Sequence, residues 1–212
     1  MIQIDIYSDM VCPWCRIGKS NLMKALAAWK DGDQATVSYR AYQLDPELPP
    51  EGKPFQEAMA KKMGGVHQIA QATDQVTRAG AAAGVPFRFD RVTRMPNTKL
   101  AHRLTALLPS DKQGPWVDAV MKAYFEEGQD IALREVLLSL ASELGEDAEA
   151  LGRRLDLGEG ETQVKDDQQQ AARMGVTGVP FFVFNNKYAL SGAYPPDQIV
   201  KVLEQTAAEA AD

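Results

Sequence analysis

Cys12 and Cys15 are the only thiols in the sequence, three positions apart in Cys12-Pro13-Trp14-Cys15. That spacing lets a disulfide open and close across one helical turn. The flanking residues give a reason for thiol reactivity. Ile2, Ile4, Ile6 and Tyr7 read as a strand, while Leu22, Leu26 and Trp29 recur at helical spacing beside Ala25 and Ala28. The pair therefore falls where a strand hands over to a helix. Pro13 suits the first helical position, which makes Cys12 the N-cap. Unpaired amide hydrogens and the positive end of the helix dipole favour a negative sulfur there, and the thiolate is the species that attacks disulfides. The chemistry expected is thiol–disulfide exchange, with an exposed Cys12 as nucleophile and Cys15 as the resolving thiol. The motif does not set the direction, oxidant or reductant.

Two other uses of a cysteine pair compete. Zinc takes four ligands, and beyond the pair only His67 and His102 are available, so a metal would have to be shared between two chains. No metal site is expected. A purely structural disulfide closing so short a loop would constrain the unfolded chain little.

The elements that hold the pair follow from pattern. Residues 2–7 form a first strand and 13–30 the helix carrying the cysteines; 36–42 alternate and are rich in β-branched and aromatic residues, a second strand. Such a βαβ unit makes the two strands parallel neighbours. A proline-rich loop through Leu44 to Gly52 has no regular pattern. Residues 55–174 read as helical, with a short break at Val85 to Phe89 and three apolar stripes: Leu100, Leu104, Leu107 and Leu108; Val117, Val120, Met121, Tyr124 and Phe125; Leu133, Val136, Leu137, Leu140 and Leu144. Strand character returns at 181–184 and 188–192 around the turn Asn185-Asn186-Lys187, and Pro195-Pro196-Asp197 opens a last helix. The order is βαβ, a helical block, then ββα. It describes an α/β sheet domain of residues 1–54 and 175–212, interrupted by an all-helical insertion of residues 55–174.

Composition limits the partners. With 29 acidic and 23 basic residues the net charge is −6, and no basic stripe exceeds two residues, which argues against nucleic acid and anionic membranes. No window is long and apolar enough to span a membrane. Met1 to Asp5 enter a strand directly, without a signal peptide, so the cytoplasm is the expected compartment. Glutathione keeps cytoplasmic thiols mostly reduced, and a disulfide there is more often catalytic than structural.

The element order with C-x-x-C opening the first helix resembles the thioredoxin fold, and the helical insertion resembles the DsbA family within it. Gly175-Val176-Thr177-Gly178-Val179-Pro180-Phe181 is similar to the family's segment leading into its cis-proline. The resemblance implies that Val179 and Pro180 sit beside Cys12 and bind substrate backbone; read alone, Pro180 would be an ordinary strand-start proline. Residues 8–18, 97–103, 123–125 and 192–196 further resemble the cytoplasmic FrnE-type branch. Some members carry a second cysteine pair near the C-terminus, and this chain has none. His102 points away from its helix's leucine stripe, as a solvent-facing or satisfied polar residue would. Alternatively the helix is covered on both sides, with Asn97 or His102 near the dithiol as substrate-binding residues. His67 reads as an exposed helix position. Trp14 offers a flat exposed surface for substrate. Asp9, Arg16 and Lys19 lie near the motif, where the cations could hold a thiolate or be solvated charges.

Three functions fit. The first is a disulfide oxidoreductase acting on protein or small thiols, with no bound cofactor and glutathione left open as a co-substrate. The second is a glutathione-dependent isomerase or transferase of the 2-hydroxychromene-2-carboxylate isomerase or kappa-class type, although serine typically stands there in place of the first cysteine. The third is a redox-sensing or chaperone-like binding module. The substrate, recycling partner and oligomeric state are open, a dimer included.

Overall fold

The computed structural model describes residues 1–209. The N-terminal unit is β1 (Ile2–Ser8), α1 (Pro13–Ala28) and β2 (Ala35–Ala41), as the alternation indicated. β1 and β2 are parallel, Ile6 beside Tyr39, and the later strands β5 (Phe181–Phe184) and β6 (Tyr188–Ser191) complete a sheet of order β2-β1-β5-β6. β5 runs antiparallel to β1, with Phe182 beside Ile6, and to β6. Asn185 and Asn186 both have positive φ, 49° and 55°. That is the backbone a two-residue primed turn requires, and asparagine adopts it more readily than most residues.

The two faces of the sheet bury different sets, because successive side chains point to opposite sides. Ile2, Ile4, Ile6, Phe182 and Phe184 pack with Leu22 and Ala25 of α1 and Ile199 and Leu203 of the last helix, α9 (Pro196–Glu209). Tyr7 and Val183 face the other way, against Ala171 and Val176. The sheet is thus covered on both sides. At roughly 1.5–3 kcal/mol for each large apolar side chain buried, this pattern outweighs local propensity in setting the register.

Between β2 and β5 lie β3 (Lys53–Pro54), α2 (Phe55–Met63), α3 (Val66–Ala83), β4 (Arg94–Met95), α4 (Lys99–Leu107), α5 (Ser110–Phe125), α6 (Arg134–Glu143), α7 (Ala148–Asp156) and α8 (Glu161–Arg173). The insertion is not all-helical. Residues 84–98 contain no helix, and β4 pairs antiparallel with β3, Lys53 beside Met95, a short strand that follows directly on the proline-rich loop. Two-residue strands are too short for any alternation to register, and Pro86 and Pro96 keep the segment out of helix. The three apolar stripes are inward-facing in the main: Leu104, Val117, Val120, Met121, Tyr124, Phe125 and Leu137 are buried, while Leu133 is exposed.

The helical core also takes in Met10, Cys12, Cys15 and Ile17, alongside Leu104, Trp116, Val120 and Tyr124. The dithiol therefore sits at the seam between sheet and insertion. Strand β1 delivers it there, and the insertion walls it in.

Candidate active site

Cys12 is the N-cap of α1, in extended geometry (φ −92°, ψ 108°), with Pro13 opening the helix. Its sulfur accepts a hydrogen bond from the Cys15 amide at 3.2 Å, and its thiol reaches the Val179 carbonyl at 3.5 Å. The Cys12 amide donates to the Asp9 carbonyl at 3.1 Å, closing the turn that presents the pair. Both thiols are free. Burial pushes the Cys15 thiol well above its usual range; the hydrogen bond to Cys12, the Cys12 charge and the Asp9 carboxylate push the same way, and the Asp9 amide opposes them.

The Val179–Pro180 bond is cis, and it lies against the cysteines across 165 residues of sequence from Cys15. Gly18 makes the approach feasible, since a Cβ there would come within 2.8 Å of Pro180 Cγ. The Gly192 amide donates to the Pro180 carbonyl at 2.8 Å, which ties the loop to the end of β6, and Asn21 Nδ2 donates to the Tyr194 carbonyl at 2.9 Å, which ties the segment after β6 to α1.

The expected exposed sulfur is not found. Cys12 is 3% exposed and Cys15 1%. The N-cap geometry turns the Cys12 sulfur back toward the Cys15 amide, the Val179 carbonyl lies against it, and Cys12 packs into the helical core. Trp14, at 37% exposed, is the residue of the motif that meets solvent, as anticipated. A groove of about 480 Å³ runs beside the pair; Val11 and Pro13, which flank Cys12, line it together with Leu44, Leu48, Met59 and Met95.

The nearby cations do not hold the thiolate. Arg16 pairs with Glu126, donates to the Pro86 carbonyl at 2.6 Å and lies over the Phe87 ring. Lys19 pairs with Asp118 at 2.5 Å, and burial lowers its pKa. Both are buried and join α1 to the insertion rather than being solvated, because the insertion brings its own carboxylates to them.

Asn97 is held by three hydrogen bonds. Its Oδ1 accepts from Gln43 Nε2 at 3.2 Å and from the Lys99 amide at 2.9 Å, and its Nδ2 donates to the Leu48 carbonyl at 2.6 Å. His102 is 4% exposed, not solvent-facing, and its Nε2 lies 3.1 Å from Asp9 Oδ1. Helix α4 is covered on both sides, and its second face carries the histidine to the back of the dithiol turn. Asp9, 1% exposed, also accepts the Leu44 amide at 2.8 Å through Oδ2. Sequence reading treated Asp9 as one of several nearby charges and passed over Gly18. His67 is exposed, as expected.

A family model for the DSBA-like thioredoxin domain matches residues 3–204. The chain belongs to this family. A DSBA-like solved structure, a probable DsbA oxidoreductase from Streptomyces coelicolor, is 32% identical, covers 99% of this chain and 91% of its own, and superposes with a TM-score of 0.85. The cytosolic disulfide reductase DsbM from Pseudomonas aeruginosa, solved with glutathione, shares the fold at 23% identity and a TM-score of 0.68, covering 97% and 98% of the two chains. An uncharacterised protein, YwbO of Bacillus subtilis, is 25% identical over 209 residues, 95% of this chain and 96% of its own. Membership of the DSBA-like family supports an oxidoreductase or isomerase activity in general. No helix among the described residues is long and apolar enough to cross a membrane.

Proposed function

We propose that this protein is a thiol–disulfide oxidoreductase in which Cys12 forms the mixed disulfide and Cys15 resolves it. The observation that carries the reading is the Cys12 sulfur itself: an N-cap acceptor of the Cys15 amide at 3.2 Å, set against the carbonyl of the cis Val179–Pro180 pair. A sulfur in that position faces the amide-rich start of a helix, has its resolving partner one turn away, and lies against the backbone of the Val179–Pro180 loop. The burial of Cys12 adds a requirement. A substrate disulfide reaches the sulfur only as the Val179 carbonyl swings off it, with the neighbouring groove as the approach. Protein thiols and glutathione are the substrates proposed, no bound cofactor is needed, and the compartment proposed is the cytoplasm. The stretches at 8–18, 97–103 and 192–196 favour the FrnE-type branch.

Reduction of insulin and of glutathione disulfide tests the reading. Cys12→Ser abolishes turnover. Cys15→Ala retains one round of attack and accumulates mixed disulfides that a reducing agent releases. Turnover retained in Cys12→Ser, or no trapped adduct in Cys15→Ala, refutes the assignment. Glutathione binding with undiminished catalysis in the Cys12→Ser, Cys15→Ser double variant would instead select the glutathione-dependent isomerase reading.

A further inference from the structure

One wall of the groove beside the dithiol projects into solvent. Leu44, Asp45, Pro46 and Glu47 are exposed, whereas Gln43 and Leu48 at either end of this stretch are buried. Leu44, Asp45 and Leu48 line the groove, which they share with Met59 and Met95. A projection of this kind, outside any helix or sheet, keeps its shape only if its ends are held. Side chains from elsewhere hold both. The Leu44 amide donates to Asp9 Oδ2 at 2.8 Å, and the Leu48 carbonyl accepts Asn97 Nδ2 at 2.6 Å. The first hold comes from the dithiol turn, three residues before Cys12. The second comes from between Pro96 and Thr98, which also line the groove.

We propose that Asn97 is a positioning residue for polypeptide substrates: its amide pins the 44–47 projection and so sets the shape of the groove that leads to Cys12. The inference rests on the redox reading above. The side chain is oriented for the task. Oδ1 takes two donors, Gln43 Nε2 at 3.2 Å and the Lys99 amide at 2.9 Å, so the group cannot turn over without losing both. The Lys99 amide is one of the unpaired donors in the first turn of α4, and it anchors Asn97 to that helix. Gln43 Oε1 in turn accepts Gln168 Nε2 of α8 at 3.3 Å. With Oδ1 fixed in this way, Nδ2 is left aimed at the Leu48 carbonyl. A single amide therefore joins the residues on both sides of the projection, Gln43 and Leu48, to the start of α4. Asn97 acts through the wall and not on the sulfur. A small disulfide needs only the sulfur, whereas a polypeptide must also lie along the wall, and holding that wall in advance saves the cost of ordering it on binding.

Steady-state reduction of insulin, set beside the reaction with Ellman's disulfide, separates the wall from the sulfur. Asn97→Asp keeps an oxygen for the Lys99 amide, an acceptor that the start of a helix favours, but has no N–H to give Leu48. Asn97→Ala loses both. In each variant the KM for insulin rises about fivefold, the worth of one hydrogen bond, while kcat and the rate of Cys12 attack on Ellman's disulfide stay within about twofold. Leu44→Ser, a change at an exposed position that leaves both pins in place, raises the insulin KM as well. An insulin KM unchanged in Asn97→Asp overturns the proposal, whether or not Asn97→Ala moves it, because the residue then serves only the start of α4. Equal slowing with insulin and with Ellman's disulfide overturns it too. Should neither Asn97 variant fold, an unchanged insulin KM in Leu44→Ser overturns it instead. An unaltered protein that reduces neither disulfide refutes the redox reading, a different failure from turnover with an unmoved KM.

Discussion

Replacing Gly18 by alanine sets two effects of known size against each other. In the interior of an ordinary helix the change stabilises by about 1 kcal/mol, because glycine is the poorer helix former. Here the new Cβ meets Pro180 Cγ at 2.8 Å and Phe182 Cζ at 3.1 Å. Carbon atoms settle at about 3.5–4.0 Å, and the proline ring is fused to the backbone, so it cannot rotate aside as a flexible side chain would. Overpacking of this kind costs about 1–3 kcal/mol. The clash wins, for a net loss of about 1 kcal/mol or a fall of roughly 2–4 °C in Tm for a chain this long. The relief available is outward movement of the Val179–Pro180 loop, which lifts the carbonyl from the Cys12 sulfur. Urea denaturation reads the stability, and the first phase of the reaction with Ellman's disulfide, in which Cys12 attacks and one coloured thiolate is released, reads the loop; it should speed up as Cys12 is uncovered. A Gly18→Ala protein more stable than its parent, with unchanged first-phase rate, would refute the close packing of α1 on this loop.

Arg16→Met removes the partner of Glu126 and of the Pro86 carbonyl, and should cost about 1–3 kcal/mol in denaturant unfolding. Trp14→Ala removes the exposed face of the motif; the KM for insulin should rise several-fold while the first-phase rate with Ellman's disulfide stays within about twofold. Alkaline titration should separate the tyrosines. Burial pushes Tyr7 up to about 12 and raises Tyr39 and Tyr124 as well. A phenol whose folded pKa lies above its unfolded value contributes stability that is complete below about pH 10 and is lost as pH rises toward the folded value. Phenolate absorbance from these three should therefore appear together with unfolding between pH 10 and 12. Their ionisation in a still-folded chain would contradict the burial.

How much of this was legible in the sequence depended on how local the signal was. The cysteine spacing, Pro13 and the β1 alternation lie within thirty residues and placed the N-cap correctly. The cis bond at Pro180 came only from family resemblance, since no local pattern distinguishes it from a strand-start proline. Helix α4 misled because a leucine stripe describes one buried face, and here both faces are covered, which takes His102 inside. Arg16 and Lys19 carried no sign of Glu126 and Asp118, about a hundred residues away. Pairing over that distance is a property of the assembled seam. The strands β3 and β4 are too brief for periodicity of any kind.

The covering of Cys12 bears on how the protein withstands peroxide. Oxygen atoms add to a thiolate one at a time, and the second addition makes the damage permanent. A sulfur roofed by the Val179 carbonyl leaves an oxidant little room. Whatever sulfenic acid does form stands next to Cys15, which can condense with it to a reversible disulfide before further oxygen arrives. The roof that slows entry thus also shelters the nucleophile from being burnt out.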